Sequence, residues 1–231
     1  MVRLLVDLDG VLYKGLFAVE GYYRGVKACE NILERIMDRW DTREISLFLS
    51  GPENFRKKID PSYKANRVSA SKPQYLHDAR EYFIKYWGAI FSFGLEADDL
   101  IAMNHDEDCI ICSVDKDFFQ LPATIYDPFK DQVHVINNPE FFFYRQCLTG
   151  DKVDNIPGIK NPYKSHWTSP PNFSEATAAE VLEGKSKEEM REVVQNMYKL
   201  QYGDDWYVRY DTNLQLLFLK RALDSTYNEY F

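Results

Sequence analysis

Four short apolar runs, Leu4–Leu8, Ile45–Leu49, Ala89–Phe93 and Cys109–Val114, alternate with segments of helical period, and this alternation restricts the fold more than any other feature of the chain. Between the first two runs Val26, Cys29, Ile32, Leu33, Ile36, Met37 and Trp40 recur at the spacing of one helix face. Pro73 suits the first turn of a helix running to about Trp87, and a further helix is predicted from about Glu96 to Asn104. Strands separated by helices must return in the same direction, so the expected class is α/β, with a mainly parallel central sheet flanked by helices. Val133–Ile136 reads as one more strand, and Asn138-Pro139 as cap and first turn of an aromatic helix, Glu140–Leu148.

From Gly150 onward the strand signals stop. Ser174 can cap a helix over Glu175–Leu182 with Gly184 as its terminator, and Ser186 with Glu189 forms a capping box for a helix ending near Gly203. The expected organisation is therefore an α/β core over 1–149 and a helical region over 150–231. Lys160–Asn172, with three prolines, is the most loop-like stretch. At 231 residues and 45% apolar composition the chain can bury a core. No apolar run approaches the roughly 20 residues that span a bilayer, and Leu4-Leu5-Val6 is too short for a signal segment. A soluble cytoplasmic protein with no membrane association is expected, in the host cytoplasm if the source is viral. Strand alternation sends Cys109 and Cys112 to opposite faces, so they read as reduced core residues and not as a metal or redox pair.

In open α/β sheets ligands bind beyond the carboxyl ends of the strands, and here those ends are acidic. Asp7 and Asp9 follow the first run, Glu96, Asp98 and Asp99 the third, and Asp115 and Asp117 the fourth, while Asp151 and Asp154 open the helical region. An isolated Asp pair after a strand is usually a cap or a turn. Nine carboxylates gathered together would instead repel one another unless cations neutralised them, and oxygen ligands without His or Cys select Mg²⁺ or Mn²⁺, two ions being the natural reading. The net charge of −8 argues against a polyanionic partner, but two divalent cations would bring it to −4 and invert the local sign where a phosphate approaches.

"DLDG" at 7–10 resembles the nucleophile motif of haloacid-dehalogenase phosphatases, with "SLFLS" and "GDKVD" as partial echoes of their later motifs. That reading expects a strand before "GDKVD", where the sequence predicts a helix, and it leaves "EADD" and "DKD" unexplained. "IDPSYKANR" (59–67), "EADDLIA" (96–102), "SVDKDFFQL" (113–121) and "GDKVDNIPGI" (150–159) more closely resemble, in order, the motifs of the 5′-nuclease family. That family comprises bacteriophage 5′–3′ exonucleases, flap endonucleases and the 5′-nuclease domain of bacterial DNA polymerases.

The resemblance implies a PIN-like core, a helix-two-turn-helix-like region, and two-metal hydrolysis of DNA at or near a 5′ end, in phage replication given the compact length. Asp7, Glu96 and Asp98, with Asp99 nearby, would serve the metal that makes the nucleophile; Asp115, Asp117, Asp151 and Asp154 would hold the second. Asp9 ranks lower, as ligand or neighbour. Lys64 and Arg67, joined by Lys14, would meet the phosphate; Tyr63 would stack on a base, and Arg56 and Lys116 would contact DNA. The implied partners are duplex DNA with a 5′ end or flap and RNA–DNA hybrid, acted on by a monomer. Two departures stand out. The insertion "KNPYKSHWTSPPNFSEA" interrupts the element that would hold K⁺, and the strand end where the family commonly has Asp carries Ser50, leaving Glu53 or water as substitute. Val68–Lys72 is too short to form an arch over the site, so an open cleft is expected. The competing classes are the phosphatase and a catalytically weak DNA-junction binder.

Overall fold

The computed structural model describes residues 2–67, 71–164 and 171–231. In chain order the elements are β1 (Arg3–Asp7), α1 (Leu8–Ala18), α2 (Tyr22–Arg39), β2 (Ile45–Leu49), α3 (Arg56–Ile59), α4 (Leu76–Trp87), β3 (Ile90–Phe91) and α5 (Ala97–Asn104). There follow β4 (Cys109–Cys112), β5 (Thr124–Asp127), β6 (Gln132–Val135), α6 (Pro139–Thr149), α7 (Glu175–Leu182), α8 (Lys187–Tyr202), α9 (Trp206–Leu217) and α10 (Tyr227–Tyr230). Internal contacts divide the chain into two units. The first is Met1–Asn54, Ala70–Asn137 and Leu219–Leu223; the second is Phe55–Ser69, Asn138–Phe218 and Asp224–Phe231. Residues 55–69 and 138–149 thus group with the helices beyond 150. Parts of two predicted loops, residues 68–70 of Val68–Lys72 and 165–170 of Lys160–Asn172, lie outside the described residues.

The first unit is an α/β sheet of six strands in the order β3-β2-β1-β4-β5-β6. All neighbouring pairs are parallel except β5 with β6. Alternation along the strands feeds two cores. Leu4, Val6, Leu47, Leu49 and Cys112 face one, with α2's Val26, Cys29 and Leu33; Leu5, Phe48, Cys109, Ile111 and Ile125 face the other, with Ala97 and Ile101 of α5. Cys109 and Cys112 therefore part to opposite faces, and all four cysteines are buried and free.

Several boundaries differ from the sequence reading. Leu8 is not strand but the first residue of α1, a helix the reading left out. Its apolar face, Leu8, Val11, Leu12 and Leu16, is interrupted by Gly10 and Gly15. Gly15 is needed there, since a Cβ would lie 2.9 Å from the Cys29 amide nitrogen where α1 crosses α2. Pro73 precedes α4 in a turn, accepting from the Leu76 amide, instead of opening the helix. Ala89–Phe93 contracts to the two-residue edge strand β3, and β5, flanked by Pro122 and Pro128, adds a strand to those predicted.

The second unit is helical. Its core joins Phe143, Tyr144, Cys147 and Leu148 of α6 to Ala178 and Leu182 of α7, Val194 and Tyr198 of α8, and Leu214 and Leu217 of α9. The predicted caps are in place: Asn138 accepts from Phe141 N, and Ser174 and Ser186 form capping boxes with Thr177 and Glu189. The segment before "GDKVD" is helix α6, not the strand a phosphatase fourth motif requires. Among the described residues no helix is long and apolar enough to cross a membrane.

Candidate functional site

The predicted site residues fall into both units. The first holds Asp7, Asp9, Lys14, Glu53, Glu96, Asp98, Asp99, Asp115, Lys116 and Asp117; the second holds Arg56, Tyr63, Lys64, Arg67, Asp151 and Asp154.

In the first unit, parallel pairing of Val6 with Cys112 and of Asp7 with Phe48 aligns the carboxyl ends of β1, β4 and β2. Asp7 ends β1 at the N-terminus of α1, where helix amides favour negative charge. The Ser113 hydroxyl donates to Asp7 Oδ2 at 3.1 Å and accepts from the Asp115 amide at 3.1 Å, tying the two acid-bearing turns together. Asp115 in turn accepts from Asp117 N. Burial first, then the charges of Asp9 and Asp115, push the Asp7 carboxyl up to about 7; the Ser113 and Gly10 hydrogen bonds pull the other way. Among the described residues no three acidic, His or Cys side chains already converge on one point.

Two predicted ligands of this unit have other occupations. Asp99 is fully buried; one carboxylate oxygen accepts from Glu96 N in the capping box of α5 and the other from Lys220 N at 3.0 Å. A carboxylate bound by backbone amides on both oxygens braces the local backbone, a role that stands beside the metal-ligand one expected from the sequence. Asp9, ranked as ligand or neighbour, is a neighbour: Oδ2 accepts from Ser50 N at 2.9 Å and Oδ1 pairs with Arg80 of α4. Glu96 and Asp98, at the start of α5, and Asp117 are half-buried at the same edge of the sheet. Ser50 Oγ accepts from Ala97 N, and Glu53 is exposed. Lys14 and Lys116 are exposed, Lys14 lying over the Phe129 ring. Sequence reasoning missed Ser113 and Arg80. Ser113 stands inside a quoted motif, whereas the Asp9–Arg80 pair spans 71 residues and has no local signal.

In the second unit "GDKVDNIPGI" closes on itself. Asp151 and Ile156 exchange backbone hydrogen bonds, and Asp151 Oδ1 accepts from Val153 N and Asp154 N. Gly150 is required, with φ +67° and only 2.5 Å from a Cβ to Ile156 O. Asp154 is met by Tyr63 Oη at 2.8 Å, by Lys64 Nζ at 3.5 Å and by the Arg67 guanidinium. Two predicted nucleic-acid contacts fail here. Tyr63 is 3% exposed with its hydroxyl on Asp154, so its ring is not available to stack on a base. Arg56 is 2% exposed and donates to Leu216 O and Phe218 O at the end of α9, where it serves the fold and not DNA. Lys64 and Arg67 neutralise Asp154 in this state. Asp154→Asn is expected to cost about 2 kcal/mol by weakening a charged acceptor of three donors, measured as a lower denaturation midpoint. An unchanged midpoint would show that the cluster is not a brace.

The family model for "5′-3′ exonuclease, N-terminal resolvase-like domain" matches residues 3–145. The chain is 33% identical over 159 residues to DNA polymerase I of Rhizobium leguminosarum, covering 59% of this chain and 14% of that protein. It is 28% identical over 190 residues to a 5′-3′ exonuclease of Buchnera aphidicola subsp. Schizaphis graminum, covering 68% of this chain and 64% of that protein. The chain thus spans under two thirds of either relative. T5 5′-exonuclease with divalent zinc ions bound shares the fold, with a TM-score of 0.65 at 15% identity over 94% of this chain and 86% of that one.

Proposed function

The chain belongs to the 5′-3′ exonuclease family defined by an N-terminal resolvase-like domain, and from that premise we propose that it hydrolyses phosphodiester bonds of DNA at or near a 5′ end by a two-metal mechanism. The observation that carries this reading is the pairing of Asp7 with Asp115 through Ser113 at adjacent parallel strand ends. Their donor set is all oxygen, with Glu96, Asp98 and Asp117 at the same edge, and suits Mg²⁺ or Mn²⁺. When bound, such ions supply a hydroxide at neutral pH and stabilise the leaving oxygen. Asp7 and Asp115 would hold them. Ser113 fixes the rotamer of Asp7 by donating to one of its oxygens, so the other is presented to a cation. Asp99 and Asp9 hold the surrounding backbone in place. In the second unit Lys64 and Arg67 exchange Asp154 for substrate phosphate, a swap of one anion for another that leaves neither cation uncompensated.

Duplex DNA labelled separately at its 5′ and 3′ ends provides the test. Mg²⁺ or Mn²⁺ is expected to release short products from the 5′ label, and chelator to abolish them. A flap with a bulky 5′ block is expected to be cut as well as an unblocked one, because α4 and β3 occupy most of the chain between residues 71 and 95 and leave little for a closed arch. Intact DNA alongside hydrolysis of a small aryl phosphate would replace this reading with the phosphatase one. DNA binding without turnover in Mn²⁺ would leave a junction binder.

A further inference from the structure

Arg80 reaches the acidic edge of the sheet from α4, whose neighbouring Ala79 and Phe83 are buried against the first unit's core. Asp9 is fully engaged as its bracket: one oxygen takes the Ser50 amide at the end of β2, the other takes Arg80 Nη2. A guanidinium has five N–H donors, and this contact uses one nitrogen of three. Nε is buried without an acceptor, while the side chain as a whole is 28% exposed. A guanidinium bound on one side, with Nε lacking an acceptor and the side chain partly open to solvent beside the acidic strand ends, is poorly explained as a structural ion pair. A phosphate oxygen is the acceptor its planar fork fits.

We propose that Arg80 is a phosphate-binding residue of the first unit, held by Asp9 so that its remaining N–H groups meet a backbone phosphate of nucleic acid next to the acidic strand ends. This deepens the nuclease reading and rests on it for the identity of the ligand. Asp9 then acts as a positioning residue, keeping the cation beside the acids without occupying them.

The test measures binding of a short DNA duplex in Ca²⁺ as a function of salt, and single-turnover cleavage in Mg²⁺, with the full chain. Loss of one phosphate contact in Arg80→Ala is expected to lower the slope of log K against log salt by about 0.9. Arg80→Lys, which keeps the charge, is expected to restore the slope, and Arg80→Gln, which keeps a donor for Asp9, to reproduce the loss if the Ala variant does not fold. Cleavage by Arg80→Ala is expected to slow at least about 10-fold. Mn²⁺ affinity, read by direct titration, is expected to hold or tighten as a neighbouring positive charge is removed. An unchanged slope in Arg80→Ala and Arg80→Gln overturns the proposal, as does Mn²⁺ affinity falling in step with the rate. Cleavage by wild type with no slope change in the Arg80 variants sinks this inference alone. The expected slope change in the variants, with a wild type that binds but never cleaves, sinks the nuclease reading and leaves Arg80 as a phosphate contact.

Discussion

Asp7→Asn is expected to give a protein with no measurable cleavage that is more stable than the parent in metal-free buffer at pH 8. The two effects have opposite signs because one carboxylate serves two states. With cations present, a ligand to a catalytic ion supports several kcal/mol of charge stabilisation. Its removal is expected to slow the reaction on the order of 10³-fold or more. Without cations, the same carboxylate is held between burial and the charges of Asp9 and Asp115, which push it up to about 7. A carboxyl whose folded value lies above its unfolded one favours the fold in its protonated form. That advantage is complete below about pH 4 and is lost as pH rises to about 7. Metal-free wild type should therefore lose stability across that window relative to Asp7→Asn, in which the step is absent, and Mg²⁺ should restore it. Denaturant titrations of both proteins at pH 5, 7 and 8, with chelator and with Mg²⁺, decide the matter. A variant that is less stable than wild type at pH 8 in chelator, or that still cleaves, would remove Asp7 from the metal centre.

What the sequence disclosed, and what it hid, follows from the range of each interaction. The parallel sheet was legible because hydrophobic period is local, and that Asp7 and Asp115 follow neighbouring strands was legible for the same reason. α1 was obscured by Gly10 and Gly15, residues that ordinarily argue against a helix but here permit the approach of α2. The bracing role of Asp99 was not legible, because an acid three residues after Glu96 suits a capping box as well as a ligand cluster, and its partner Lys220 is 121 residues away. Tyr63 and Arg56 were misread for a related reason. Motif position suggests what a side chain is, but burial decides whether it can be reached. Arg80 was not read at all, since nothing near it in the chain reveals that α4 delivers it to Asp9.

Arg56 yields the largest expected effect on stability. It lies in α3, 2% exposed, with its guanidinium donating to Leu216 O at 2.9 Å and Phe218 O at 2.6 Å and stacked over Phe55. The last carbonyls of a helix have no partner within it, and a cation at that end is favoured by the helix dipole. Hydrogen bonds to a charged group contribute about 1.5–3 kcal/mol each, and the vacated volume adds a cavity cost. Arg56→Ala is thus expected to destabilise the second unit by about 3–5 kcal/mol, seen as a fall in denaturation midpoint. Arg56→Lys should fall between, because a compact ammonium cannot span two carbonyls as the planar fork does. DNA affinity separates this from the contact the motif suggested. Measured where both proteins are folded, the salt dependence of binding by Arg56→Ala should match wild type, since a guanidinium enclosed by backbone meets no phosphate. Were the midpoint unchanged and the salt slope reduced by about one, the buried side chain would have to swing out on binding, and Arg56 would return to the nucleic-acid surface.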